Sequence, residues 1–122
     1  MAKPAPGAPP EKVRLYEALI AALPGIERKG AAFPYTSLNG NMFSILSKDG
    51  VMGLRLSAPD REAFLRDHGA SLFTSHGAVM AEYVAVPDAL LADAARMTPY
   101  VAASLAYART LKPKPTTKPK KA

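Results

Sequence analysis

Two dipeptides constrain this chain more than anything else in it: Asn39-Gly40 and Asp49-Gly50, standing between three apolar runs. Asn-Gly and Asp-Gly supply the positive φ angles that type I′ hairpins need, so each reads as a two-residue turn. The stretch PYTSLNGNMFSILSKDGVMGLRLS thereby becomes a three-strand meander, with strands expected near 32–38, 41–47 and 51–57. Pro34 cannot donate to a ladder, which places the first strand at an edge or beside a bulge.

Two-residue turns fix a register, and the register fixes two faces. Asp49-Gly50 pairs Ile45 with Leu54 and Phe43 with Leu56, so one face carries Phe43, Ile45, Met52, Leu54 and Leu56. That is the expected core face. Asn39-Gly40 pairs Thr36 with Phe43, which sends Phe33, Tyr35 and Ser37 to the opposite face beside Met42, Ser44, Leu46 and Val51. A contiguous apolar patch there marks a contact surface, unless the final helices or the 70–78 segment cover it. A bulge at either turn would exchange the faces of one strand.

The flanking segments read as helices. Tyr16, Leu19, Ile20 and Leu23 fall at i, i+3, i+4, i+7, an amphipathic helix from Glu11 ended by Pro24-Gly25. Ser57-Ala58-Pro59-Asp60 reads as a helix start, with a stop at Gly69 in the left-handed conformation. SLFTSHGA reads as a loop and VMAEYVAV as a fourth strand. Pro87-Asp88 opens a short helix through Leu90 and Leu91, and Thr98-Pro99 caps and opens the last, to about Leu111. The order α-βββ-α-β-α-α predicts an α+β fold of two layers, an antiparallel sheet with helices packed against it.

Residues 1–10 hold four prolines and 112–122 hold three more among five lysines. Both segments are expected to be disordered tails around one domain at 11–111. The formal charge of +6 lives in them: between Glu11 and Leu111 there are ten basic and ten acidic residues, so the body is neutral. A nucleic-acid-binding body normally carries a basic patch. Contact with nucleic acid is therefore expected only as a weak, non-specific attraction of Lys112, Lys114, Lys118, Lys120 and Lys121 for phosphates. The absence of cysteine excludes disulfides and thiolate metal sites. No apolar run approaches the roughly 20 residues that span a bilayer, and the N-terminus lacks a signal's apolar segment, so a cytoplasmic, non-membrane protein is expected.

Chemistry-bearing patterns are sparse. His68 and His76 stand eight apart without a carboxylate pattern beyond Asp67, so no metal site is assigned. Ser75-His76 are adjacent residues with no nucleophile elbow, and Glu82 and Asp88 form no dyad. The glycines are spread over turns and strands rather than gathered in a phosphate loop. An enzyme would need a pocket gathering Tyr35, Ser37, Asn39, Glu82 and Tyr83. Arg28 and Lys29, before the first strand, read as a solvated connector with local ion pairing or as an anionic or partner contact next to Tyr35 and Asn39. Ser37 and Asn39 join them as candidate polar contacts. No catalytic residue and no cofactor is expected.

With these residues in view, the chain resembles the TfoX/Sxy N-terminal domain family from about Leu15 to Lys114. The resemblance is carried by ERKGAAFPYTSLNGNMFSIL, GLRLSAPDREAFL, VMAEYVAVPDALL and PYVAASLAYARTLKPKP. It implies a small α+β domain similar to secretion-chaperone-like folds, with no known enzyme activity and no catalytic residues to carry over. Full-length members regulate natural competence together with a cyclic-AMP-responsive transcription factor and carry a second, helical domain. This sequence departs from that pattern, since only Lys/Pro-rich residues follow Leu111. The expectation is a binding module, related to transcriptional or competence regulation through a protein partner or a second copy. Its candidate surface is Phe33, Tyr35, Met42, Leu46 and Val51.

Overall fold

A computed structural model describes residues 9–23, 25–26, 28–30, 34–75 and 77–113. Helix α1 (Pro10–Ala21) leads into a meander of β1 (Tyr35–Leu38), β2 (Asn41–Leu46) and β3 (Met52–Arg55). Helix α2 (Ala58–His68) follows, then the hairpin of β4 (Leu72–Ser75) and β5 (Ala78–Val86), then α3 (Asp88–Leu91) and α4 (Ala94–Thr110). The five strands form one antiparallel sheet in the order β1-β2-β3-β5-β4. This is the expected α+β class, and β1 is an edge strand, one of the two positions that Pro34 allows.

All four helices supply one core. Tyr16, Leu19 and Ile20 of α1, Phe64 of α2, Leu90 and Leu91 of α3, and Met97, Val101, Leu105 and Ala108 of α4 pack on Phe43, Leu46, Met52, Leu54, Leu56, Val84 and Val86. The helices therefore share one side of the sheet, leaving an inner face against them and an outer face on which no helix packs among the described residues.

The two turns behave differently. Asn39 (φ 53°) and Gly40 (φ 82°) form the expected two-residue loop, pairing Leu38 with Asn41 and Ser37 with Met42. Asp49-Gly50 does not. Ser47 pairs with Val51 through its amide, so the loop is the three residues Lys48, Asp49 and Gly50, with Gly50 left-handed at φ 82°. The Ser47 hydroxyl accepts from the amides of Asp49 (3.3 Å) and Val51 (3.2 Å), a local bond that favours the longer loop. The extra residue pairs Leu46 with Met52 and Ser44 with Leu54, one position off the two-residue register.

A bulge keeps the first hairpin compatible with the second. Between Thr36↔Ser44 and Ser37↔Met42, Phe43 has no partner on β1. An inserted residue lets two neighbours face the same way, and Phe43 and Ser44 are both fully buried on the inner face. Carbonyls at a bulge lose ladder partners and need others. Tyr83 Oη donates to the Met42 carbonyl at 2.7 Å, joined by Arg55 Nη1 at 3.3 Å, and Ser104 Oγ of α4 donates to the Phe43 carbonyl at 3.2 Å.

Three further expectations need correction. Residues 72–75 are not a loop but β4, because pairing with β5 satisfies their backbone at the sheet edge. The last helix opens at Ala94 rather than at Thr98-Pro99. Asp93 caps it, with its side chain accepting from the Arg96 amide at 3.3 Å, and Pro99 lies inside the helix. The first helix ends at Ala21, two residues before Leu23. Gly69 stops α2 in the left-handed conformation (φ 58°) as its position predicts, although the Ser57 side chain makes no cap bond.

Candidate functional site

The bulge and the longer loop decide which side chains reach the outer face. Leu46, expected on the contact surface, is fully buried in the helix-side core, and Ser44 is buried with it. Ile45, expected in the core, turns outward instead and is half-buried. Tyr35, Met42 and Val51 stand half-buried on the outer side as expected, and Phe33 lies outside the described residues.

Backbone pairing aligns Tyr35, Ile45, Gly53 and Ala85 in one row across β1, β2, β3 and β5. The two small residues, Gly53 and Ala85 on the neighbouring strands β3 and β5, make a trough. Phe73, from the irregular β4 ladder, covers Gly53 so closely that a Cβ built there would come within 2.8 Å of its ring. Phe73 is 2% exposed yet absent from the helix-side core, which places its ring on the outer face. Phe73 of β4 thus covers the face at Gly53, while the buried residues of α3 and α4 belong to the helix-side core.

Beside Phe73 a cavity of about 510 Å³ remains, lined by Ile45, Leu46, Val51, Leu72 and Ala85 with Ser47, Lys48, Asp49, Ser71 and Thr74 around it; Leu46 borders it although its side chain is fully buried in the helix-side core. That volume falls in the range of small ligand clefts, and its apolar wall with a polar rim suits an apolar group on a polar backbone. Sequence reasoning missed Ile45, Leu72, Phe73 and Ala85. The one available signal was Gly53, since glycine inside a strand often marks a close approach.

The polar candidates are used within the fold. Arg28 forms an ion pair with Glu17 (3.0 Å) and donates to the Gly30 carbonyl. Lys29 bridges to Tyr35 through its backbone, and its Nζ lies 3.4 Å from Ser37 Oγ. Asn39 is an exposed turn residue. Arg55 Nε pairs with Glu82 Oε1 at 2.7 Å, and Tyr107 Oη donates to Glu82 Oε2 at 3.3 Å. The hydrogen bond from Arg55 holds the Glu82 carboxyl below the usual carboxylate range, and burial pushes the Tyr83 phenol up. On the inner face Tyr16 Oη lies 2.6 Å from Ser44 Oγ, itself bonded to Thr36, and burial pushes the Tyr16 phenol up to about 12.

His68 bonds Tyr100 Oη at 2.8 Å and stacks against Phe64, joining α2 to α4; His76 lies outside the described residues. Among the described residues there is no cluster of three or more His, Asp or Glu able to hold a metal, and no helix long and apolar enough to cross a membrane. Lys112 is held by its carbonyl, which accepts from Asn41 Nδ2 at 3.0 Å; Lys114, Lys118, Lys120 and Lys121 lie outside the described residues. No family model matches the chain, and no curated protein or solved structure matches it either.

Proposed function

We propose that this chain is a non-enzymatic interaction module whose contact surface is the outer face of its sheet. The observation that carries this reading is the one-sided layering. The four described helices pack on the inner face, while Ile45 and Val51 line the 510 Å³ cavity on the other side and Tyr35 and Met42 stand half-buried there. Apolar surface gathered around a concave site is characteristic of protein contact. The residues that an enzyme pocket would need serve elsewhere: Glu82 is held by Arg55 and Tyr107, and the Tyr83 hydroxyl by the Met42 carbonyl. The resemblance to the TfoX/Sxy N-terminal domain supports a partner in transcriptional or competence regulation.

The test uses the wild-type chain and an Ile45→Lys, Val51→Lys variant as baits, followed by reconstitution from purified components. A protein retained by the wild type, lost with the variant and bound again when purified supports the reading. Equal retention by both baits overturns it.

A second reading is favoured by the Asn41–Lys112 bond, which starts the lysine-rich segment at the Asn39-Gly40 end of the sheet. In it the tail lysines hold nucleic-acid phosphates weakly and without sequence preference. Anisotropy on a labelled duplex, at low and moderate salt, then shows binding by the full chain and none by a chain ending at Leu111. Binding that survives truncation overturns this second reading.

A further inference from the structure

We infer that the outer-face cavity binds a small zwitterion with an apolar body, of the amino acid or dipeptide class. This goes beyond the protein-contact reading and does not depend on it. Three observations lead to it.

The first is shape. Among the described residues the one large apolar side chain that stands exposed is Val79, which does not line the cavity. Ile45, Val51 and Leu72, which do line it, are half-buried. The apolar surface on this side is thus gathered in a hollow rather than spread over a flat patch. A concave apolar site of about 510 Å³ has the size that small molecules fill.

The second is charge. Lys48 and Asp49 both line the cavity, and both are exposed. Among the described residues neither belongs to an ion pair, not even with the other. A cation and an anion side by side at an apolar hollow fit a ligand whose carboxylate and ammonium lie close together. Lys48 takes the carboxylate and Asp49 the ammonium, with the ligand's apolar group against Ile45, Val51, Leu72 and Phe73. A ligand with one charge alone meets the like charge beside its partner, which disfavours it.

The third is the way the two charges are held. The Ser47 hydroxyl accepts from the amides of Asp49 and Val51, and the Gly50 amide donates to the Ser47 carbonyl at 2.9 Å. The loop that carries both charges is therefore braced before a ligand arrives, which lowers the cost of binding. On β4, Ser71 and Thr74 add hydroxyls to the lining, hydrogen-bond partners for the amide group of a dipeptide.

The experiment follows the NMR signals of the full, isotope-enriched chain during titration with phenylalanine, leucyl-phenylalanine, phenylpropanoate and phenylethylamine. The expected result is saturable shifts at Ile45, Val51, Leu72 and Ala85 with the zwitterions, whichever of the two binds more tightly. Phenylpropanoate and phenylethylamine, each lacking one charge, should bind about threefold more weakly or worse, the scale of an exposed ion pair. Lys48→Met and Asp49→Asn should each weaken phenylalanine by a similar factor, and Asn-Gly keeps the turn chemistry. Phenylpropanoate should lose affinity only with Lys48→Met, and phenylethylamine only with Asp49→Asn. Absence of saturable shifts with both zwitterions overturns the inference, and so does a singly charged probe that binds as well as phenylalanine. Either result leaves the protein-contact reading standing, because that reading is tested by bait retention.

Discussion

The ring of Phe73 lies over Gly53, near enough that a methyl group on that glycine would meet it at 2.8 Å. This contact joins the edge strand β4 to β3 across the outer face and sets one wall of the cavity. Gly53→Ala forces a ring with 2% exposure to move, and overpacking of that kind costs about 1–3 kcal/mol. Denaturant unfolding of Gly53→Ala alone and with Phe73→Leu checks it. Most of the cost should vanish in the double variant, because residues in contact are not additive.

Ser104 is a second anchor, on the inner side. Its hydroxyl donates to the Phe43 carbonyl at the bulge and also contacts the Arg55 carbonyl. Ser104→Ala leaves buried acceptors short of a donor, a loss of about 1–3 kcal/mol measured by chemical denaturation. A neutral outcome would mean that the bulge does not depend on α4.

Much of this fold was legible from short-range chemistry. Asn39-Gly40 formed the turn its φ requirements dictate, the 3.6 periodicity of Tyr16, Leu19 and Ile20 found the inner face of α1, and Gly69 ended α2. The site was less legible, and for one reason. Asp-Gly serves both two-residue and three-residue loops, and the choice here rests on the Ser47 hydroxyl and on packing of Pro9 and Lys12 against Gly50. One residue of register exchanges Ile45 with Leu46. Phe73 was hidden differently: a four-residue edge strand in SLFTSHGA has too few residues to show alternation.

Glu82 gives the acid limb of stability a direction. Its folded pKa is depressed, chiefly by the hydrogen bond from Arg55, so its contribution is complete above the unfolded carboxylate value and is lost as pH falls through the folded one. The side chain is 40% exposed, so solvent screening limits the pair to about 1 kcal/mol or less. Glu82→Gln should therefore be the less stable protein at neutral pH and converge with wild type in acid. Urea titrations at both pH values check this.

Tyr16 acts at the opposite end of the scale. Burial raises its folded value to about 12, against roughly 10 when unfolded. The stability it contributes is thus fully present below pH ~10 and lost as pH rises through the folded value. Spectrophotometric titration should show the Tyr16 phenol ionising late, as the Tyr83 phenol also does, and Tyr16→Phe should remove one late-ionising phenol while that of Tyr83 remains.

The partition of Ile45 and Leu46 between the two faces is the relationship on which the contact surface depends. Thermal unfolding of Ile45→Lys and Leu46→Lys, side by side, tests it most directly. Leu46→Lys buries an unpaired charge in the helix-side core and should cost about 4 kcal/mol or more, a large share of a small domain's stability. Ile45→Lys lets its ammonium reach water from the outer face and should stay within about 1 kcal/mol of wild type. A cooperative melt retained by Ile45→Lys and lost by Leu46→Lys is the predicted result. Collapse of Ile45→Lys, with Leu46→Lys tolerated, would turn the sheet over and contradict the account.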